Sequence, residues 1–262
     1  MAYALITGGS KGIGRAIAFE LAAKGFDILL VARTEQDLLV LSEEIGAKYA
    51  VQTKYFVADL SNADAIERVF RWVSELNINL GVLVNNAGYG LSGFFETQDL
   101  SSLNNMMYLN MINLAGFTHR FLPLLRKQKR AYILNVASTA AYQATPGLST
   151  YAATKSFVLS FSRGLQAELK GTSVSVTCIS PGPTNTAFFE RANLSPQGLE
   201  MIKKVHMSTE KVGKVAVEAM LKGKAEVIPG LQNKSVAFMS WLFPKYVVET
   251  VARKLLQNAI PK

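Results

Sequence analysis

Apolar positions along this chain fall in short runs separated by longer stretches of helical spacing. The runs near 3–7, 27–32, 53–58, 81–85, 131–137, 174–180 and 225–228 have strand length. Between them the spacing predicts helices near 12–25, 34–48, 62–76, 100–128, 150–170 and 209–222. Short apolar strands alternating with longer helices pair in parallel through crossover connections. Right-handed crossovers then wind helices onto both faces of one sheet. The pattern predicts an α/β chain with a doubly wound, seven-stranded parallel sheet.

Two regions stand outside this alternation. Residues 183–207 are irregular and carry Phe188 and Phe189. No linker separates them from the rest, so residues 1–230 read as one domain with 183–207 as its substrate segment, able to close as a lid. Residues 231–262 form an extension. An apolar run, Phe238 to Phe243, is followed by Pro244 and a helical pattern. Val247, Val251 and Leu255 recur every fourth position with Val248, Ala252 and Leu256 beside them, while Glu249, Arg253 and Lys254 take the other face. That is an amphipathic helix. It is expected to pack on its own domain or on a partner subunit of a homo-oligomer (dimer or tetramer). Covering the substrate cleft and resting on a membrane surface are the other uses such a helix serves.

At 262 residues and 49% hydrophobic, the chain can bury a full core and is not disordered. Cys178 is the only cysteine, which excludes an intrachain disulfide and a thiolate cluster, and no metal site is expected. Its apolar neighbours predict a buried thiol. The formal charge of +9 suits nucleic acid, membrane surface or an acidic ligand. The densest basic stretch, Arg126 to Arg130, sits at a predicted helix C-terminus, where cations are stabilised, so no nucleic-acid partner is expected. Neither a signal-peptide pattern nor an apolar stretch of about 20 residues is present, and a cytoplasmic protein with no transmembrane segment is the expectation.

The chemistry begins at the first strand–helix junction. Thr7, Gly8, Ser10, Lys11, Gly12, Ile13 and Gly14 make a glycine-rich turn spaced G-x3-G-x-G. Glycines let backbone amides approach a pyrophosphate, and the helix N-terminus behind them favours the anion. In this Rossmann-type position a dinucleotide is the expected ligand. The same residues fit G-x-S-x-G, a hydrolase nucleophile elbow at Ser10. That reading needs an acid and then a histidine downstream. It has only His119 and His206 to choose from, and it leaves Gly14, Tyr151 and Lys155 without a role. An NAD-binding fold places an acid at the end of the second strand. Here Arg33 stands there, and Lys11 lies in the turn, which together favour NADP(H) over NAD(H).

Tyr151 and Lys155 are four apart in Ser-Thr-Tyr-Ala-Ala-Thr-Lys, on one face of a predicted helix. Ser138 precedes them at a strand end. Singly these are a half-buried tyrosine, a snorkelling lysine and a turn serine. Jointly with the glycine turn they describe a site that moves a hydride and a proton between a nicotinamide and a carbonyl or alcohol.

With these motifs in this order, the chain resembles the short-chain dehydrogenase/reductase family, from residue 3 to about 230. The resemblance implies a catalytic tetrad of Asn110, Ser138, Tyr151 and Lys155, with Asn113 as a nearby alternative for the asparagine. It implies adenine contacts from Asp59 and Leu60, a cofactor-side motif at Asn85, Asn86, Ala87 and Gly88, and nicotinamide contacts from Pro181, Gly182 and Thr186. Asp59 also reads as a helix-cap neighbour and Asn85–Asn86 as a turn. In such a site Ser138 and Tyr151 hold the carbonyl oxygen, and Tyr151 is general acid or base. As a base it must fall from about 10 toward 7, roughly 4 kcal/mol, which a cation such as Lys155 about 4 Å away, helped by oxidised nicotinamide, supplies. Aromatic and polar residues beyond the strand ends (Tyr89, Leu91, Phe94, Phe95, Tyr142, Gln143, Phe188 and Phe189) suggest a small apolar carbonyl substrate: ketone, aldehyde, 3-oxoacyl group or steroid-like ring. A catalytically silent dinucleotide-binding regulator is the rival expectation, with the Ser10 hydrolase behind it.

Overall fold

The computed structural model describes residues 2–184, 200 and 206–256. Its first half runs β1 (Tyr3–Thr7), α1 (Gly12–Ala23), β2 (Asp27–Ala32), α2 (Glu35–Lys48), β3 (Thr53–Val57), α3 (Ala65–Glu75) and β4 (Leu80–Asn85). The second half runs α4 (Leu100–Met107), a π-helical turn (Tyr108–Asn113), α5 (Leu114–Leu125), β5 (Ala131–Val136), α6 (Ser149–Glu168), β6 (Val174–Ile179), α7 (Thr209–Leu221) and β7 (Glu226–Val227). Two further helices follow, α8 (Leu231–Leu242) and α9 (Lys245–Leu256).

The strands form one seven-stranded sheet in the order β3-β2-β1-β4-β5-β6-β7. Every pairing in it is parallel. The chain reverses its direction of travel across the sheet between β1 and β4. This crevice, at the carboxyl ends of the strands, is where doubly wound sheets bind ligands.

Side chains alternate across each strand and so divide between two cores. Ala4, Ile6, Ile28 and Leu30 face α1, α2 and α7 through Ile17, Leu21, Leu38, Leu41 and Val217. Tyr3, Leu5, Leu29 and Val31 face α3 and α5 through Val69, Phe117 and Phe121. Phe117 and Phe121 are fully buried and stack at 5.7 Å between centroids. Each such burial contributes about 1.5–3 kcal/mol. Because both faces are covered, the central strands read as unbroken apolar runs rather than as alternation.

Three expectations need correction. The predicted helix over 100–128 is not continuous. It ends at Leu125, with Arg126 as its cap residue, and a π-helical turn interrupts it at Tyr108–Asn113. There Asn110 bonds sideways to other elements. The run Phe238–Phe243, left without an element in the sequence, is the last part of helix α8 apart from its capping residue Phe243. Its 3.6-residue period is masked because the large apolar residues occupy the outer face, while Asn233, Ala237 and Ser240 form the inner one. Among the described side chains of α9 the buried one is Ala252, whereas Val251 is 51% exposed, so this part of the predicted apolar stripe is split between inside and outside. Cys178 is fully buried, as its surroundings imply.

Candidate active site

The glycine turn is built by close approach. Gly12 holds a left-handed φ of +56°, which turns the chain into α1. A Cβ on Gly14 would lie 2.3 Å from the Gly8 carbonyl oxygen and 2.5 Å from the Asn86 amide nitrogen. No larger residue fits there, so the first turn of α1 sits directly against the end of β4. Asn86 secures the contact: its Nδ2 donates to the carbonyls of Thr7 at 3.0 Å and Gly8 at 2.9 Å. The Thr7 hydroxyl donates to the Val84 carbonyl and accepts from the Asn86 and Ala87 amides. The first turn of α1 has no acid and no side-chain cap, leaving its dipole uncompensated. Such an end fits a pyrophosphate anion. Ser10 and Ile13 lie half-buried in the same turn.

Arg33 is exposed just beyond β2, and Lys11 is exposed in the turn. Lys11 is not a free second charge, because its Nζ lies 2.8 Å from the Asp37 carboxylate in the first turn of α2. Farther along the rim, Asp59 accepts from the Ser61 amide and hydroxyl, forming the turn that leads toward α3. Leu60 is buried, and its carbonyl accepts from Asn113 Nδ2 at 2.7 Å.

That bond separates the two asparagine candidates. Asn113 faces Leu60, whereas Asn110 faces the catalytic helix. Asn110 Nδ2 donates to the Tyr89 carbonyl at 2.9 Å and to the Thr154 hydroxyl at 3.0 Å. Its Oδ1 accepts from the Tyr89 amide. A Cβ on Gly88 would lie 2.7 Å from that Oδ1 and 3.6 Å from Lys155 Nζ. The missing side chain of Gly88 therefore lets Asn110 and Lys155 approach the end of β4 together. π-Helical turns often accompany functional sites, and this one aims Asn110 inward. Asn85, by contrast, is buried at the end of β4 and donates to Thr118 and Asn135. It ties β4 to α5 and β5 rather than facing the crevice.

Ser138 follows β5 and opens a 3-10 turn at Thr139–Tyr142, its hydroxyl accepting from the Ala140 amide at 3.1 Å. The next residue, Thr139, donates its amide to the Pro181 carbonyl at 2.9 Å, binding the loops after β5 and β6 together. Tyr151 and Lys155 share the inner face of α6 and are 8% and 6% exposed. Tyr151 hydrogen-bonds to Ser138. Lys155 Nζ lies 5.8 Å from the Tyr151 ring centroid and donates to the Val136 carbonyl at 2.9 Å. Burial pushes the phenol up to about 12, with the Ser138 hydrogen bond pulling the other way. Burial likewise brings the Lys155 ammonium down to about 8. The lowering expected of Tyr151 as a base belongs to a site with oxidised nicotinamide beside Lys155; burial of the phenol acts in the other direction.

The structure brings Asn110, Ser138, Tyr151 and Lys155 together at the ends of β4 and β5. Around the Tyr151 ring lie Leu103 and Met106, with Tyr89, Leu91, Ala140 and Leu148 packed against them. Of the substrate candidates, Phe94 and Phe95 are exposed. Tyr142 turns its hydroxyl to Ser180 Oγ at 3.1 Å and to the Glu226 carboxylate, which also pairs with Arg163. Burial and Glu226 together raise the Tyr142 pKa. Gln143 Oε1 accepts from Ser240 on α8 at 2.8 Å. Thr186, Phe188 and Phe189 lie outside the described residues, as does most of segment 183–207.

Some neighbours of the site escaped the sequence reading. Thr154 carries the link to Asn110, yet in sequence it reads as an ordinary helix threonine. Asn233 lies directly over Gly182, where a Cβ would come within 2.2 Å of its Oδ1, and it donates to the Pro229 carbonyl at 2.7 Å. Asn135 was the one with a visible signal, being a polar residue inside an apolar strand.

A phenol that stays protonated, a hydroxyl beside it and an ammonium behind it form a proton-donating site next to an anion-binding turn. The short chain dehydrogenase family profile matches residues 2–197. Over 183 residues the chain is 38% identical to very-long-chain 3-oxoacyl-CoA reductase-B of Danio rerio, covering 68% of this chain and 58% of that protein. It therefore spans a little over half the length of that relative. It is 31% identical over 261 residues to the very-long-chain 3-oxoacyl-CoA reductase of Anas platyrhynchos, covering 98% of this chain and 80% of that one. A short-chain dehydrogenase from Sphingobium yanoikuyae, solved in complex with NADPH, superposes with a TM-score of 0.82 at 26% identity, over 98% of this chain and 96% of its own. Fold, site geometry and these relatives agree: the chain belongs to the short-chain dehydrogenase family of oxidoreductases.

Proposed function

We propose that this chain is an NADP(H)-dependent reductase that converts a 3-oxoacyl thioester with an apolar acyl chain into the 3-hydroxy product. One observation carries this reading: a buried Tyr151 hydrogen-bonded to Ser138 and packed against Leu103 and Met106. A neutral phenol is the form a general acid needs. Its apolar wall suits an acyl chain, and the two named relatives that reduce very-long-chain 3-oxoacyl-CoA support the thioester.

A dinucleotide fits the residues present. The uncapped first turn of α1, shaped by Gly8, Gly12 and Gly14, would take the pyrophosphate. Asp59 and Leu60 would border the adenine. Asn86, Ala87 and Gly88 would line the middle of the crevice, and Pro181 and Gly182 would flank the nicotinamide. Arg33 would hold a 2′-phosphate, a choice supported by its exposure and by the absence of an acid at the end of β2. When bound, the cofactor supplies the hydride that reaches the substrate carbonyl carbon.

The chain's own residues handle the oxygen. Ser138 and Tyr151 donate hydrogen bonds to the carbonyl, and Tyr151 passes its proton to the oxygen as charge develops there. Lys155, still largely protonated at neutral pH, steadies the phenolate left behind. Asn110 fixes the loop at Tyr89 and the helix at Thr154, which sets where the phenol points.

The test is an NADPH-oxidation screen over ketones, aldehydes and 3-oxoacyl thioesters of increasing chain length, with NADH run in parallel. Turnover highest with long 3-oxoacyl thioesters and NADPH is expected. NADH used as well as NADPH would overturn the cofactor assignment. Dinucleotide binding with no turnover on any carbonyl would favour the silent regulator.

A further inference from the structure

The inner and outer faces of α8 have opposite characters. Asn233, Ala237 and Ser240, spaced i, i+4, i+7, form the inner face. It is fastened to the site: Ser240 donates to Gln143, and Asn233 covers Gly182. The outer face carries Leu231, Phe238, Trp241 and Leu242, with Trp241 76% exposed. The Phe238 and Trp241 rings lie 5.9 Å apart, so they present one aromatic ridge. Lys234 lies one turn before Phe238. Lys245 follows the helix, its Nζ donating to the Ser240 carbonyl at 3.1 Å. Exposed Tyr246 and Val251 continue the apolar surface onto α9.

We infer that the outer face of α8, with the adjoining part of α9, docks on an anionic lipid bilayer surface. Side-chain chemistry selects this occupant. Aromatic and aliphatic side chains flanked by lysines are what in-plane interfacial helices present to headgroups and upper acyl chains, at a depth of about 5–10 Å. Charge selects it as well. From 231 to 256 there are four cations, Lys234, Lys245, Arg253 and Lys254, against one acid, Glu249, within a chain of formal charge +9. An isologous contact between two copies would bring two segments of net positive charge together. Anionic lipid complements it instead. No described helix is long and apolar enough to cross a membrane, and a peripheral mode requires none. Because the inner face of the same helix touches Gln143 and Gly182, the docked surface adjoins the catalytic loops. The inference stands on α8 and α9 and does not depend on the proposed substrate.

Flotation of the full chain with vesicles tests it, comparing pure phosphatidylcholine with phosphatidylcholine containing phosphatidylglycerol. The chain is expected to float with the anionic vesicles and to be released by high salt. Replacing Phe238→Ser together with Trp241→Ser is expected to lower vesicle partitioning by about tenfold or more, with circular dichroism and dinucleotide binding as folding controls. A second readout needs no disruptive change. The sequence contains two tryptophans, Trp72 and Trp241. In a Trp72→Phe background, Trp241 emission is expected to shift to the blue on adding anionic vesicles. Wild-type protein that stays soluble with both vesicle types, with Trp241 emission unmoved, would overturn the inference. A dimer in sedimentation that the double variant dissociates, without vesicle binding, would overturn it in favour of a second copy.

Discussion

The Asn110 amide nitrogen donates to the Thr154 hydroxyl at 3.0 Å, one residue before Lys155. Through this bond the π-helical turn of the α4–α5 segment is locked to the catalytic helix. The same side chain holds both backbone groups of Tyr89, so one residue joins three elements. Asn110→Ala removes all three bonds and leaves buried polar groups unpaired. A loss of about 1–3 kcal/mol in urea unfolding is expected. kcat should fall while dinucleotide affinity changes little. Unaltered kcat in a folded variant would remove Asn110 from the positioning role.

Gly14 allows α1 to meet the Gly8 carbonyl and the Asn86 amide. In Gly14→Ala a Cβ at 2.3 Å from backbone oxygen forces the turn open. Overpacking of this kind costs about 1–3 kcal/mol. Weaker NADPH binding by about tenfold is the expected result in a fluorescence titration. Binding at wild-type strength would show that the turn does not form the phosphate site.

Arg33 and Lys11 differ in availability, since Lys11 is paired with Asp37. Arg33→Ala should lower kcat/KM for NADPH by about ten- to a hundredfold, the worth of a charge-assisted bond. NADH should be little affected. Asp37→Asn frees Lys11 and should lower KM for NADPH. Equal losses with both dinucleotides would place Arg33 away from the 2′-phosphate.

Lys155 makes stability depend on pH. Its ordinary value of 10.5 is brought down to about 8 by burial. Below pH 8 folded and unfolded chains both hold the proton, and the folded chain carries a buried charge. Between 8 and 10.5 only the unfolded chain holds it, so stability rises with pH across that window, by up to about 3 kcal/mol. Tyr151, raised to about 12, acts with the opposite sign, but only above pH 10. Urea titrations from pH 7 to 10 should therefore show wild type gaining on Lys155→Met. A difference that stays flat would contradict the depressed ammonium.

Much of this was legible because local constraints write themselves into short segments. The glycine turn needs particular residues at particular steps. The Tyr151–Lys155 spacing places both on one face of one helix. Strands covered on both sides appear as plain apolar runs. What escaped depends on contacts between distant segments. Tyr142 meets Glu226 across 84 positions, and Gln143 meets Ser240 across 97. Nothing in either neighbourhood announces its partner. The π-helical turn was hidden for a similar reason. Asn110 and Asn113 are visible as misplaced polar residues, but only Tyr89, Thr154 and Leu60 show why the helix deforms there. The upward push of burial on Tyr151 was not legible because burial, unlike charge, cannot be counted from neighbouring residues.

The role of Tyr151 as proton donor is tested most directly by comparing wild type with Tyr151→Phe in single-turnover NADPH oxidation with a 3-oxoacyl thioester. The buried ring stays and only the hydroxyl is lost, so folding and dinucleotide binding should persist. The expected outcome is a fall in the chemical step of about a hundred- to ten-thousandfold. A Tyr151→Phe enzyme that turns over at the wild-type rate would contradict it.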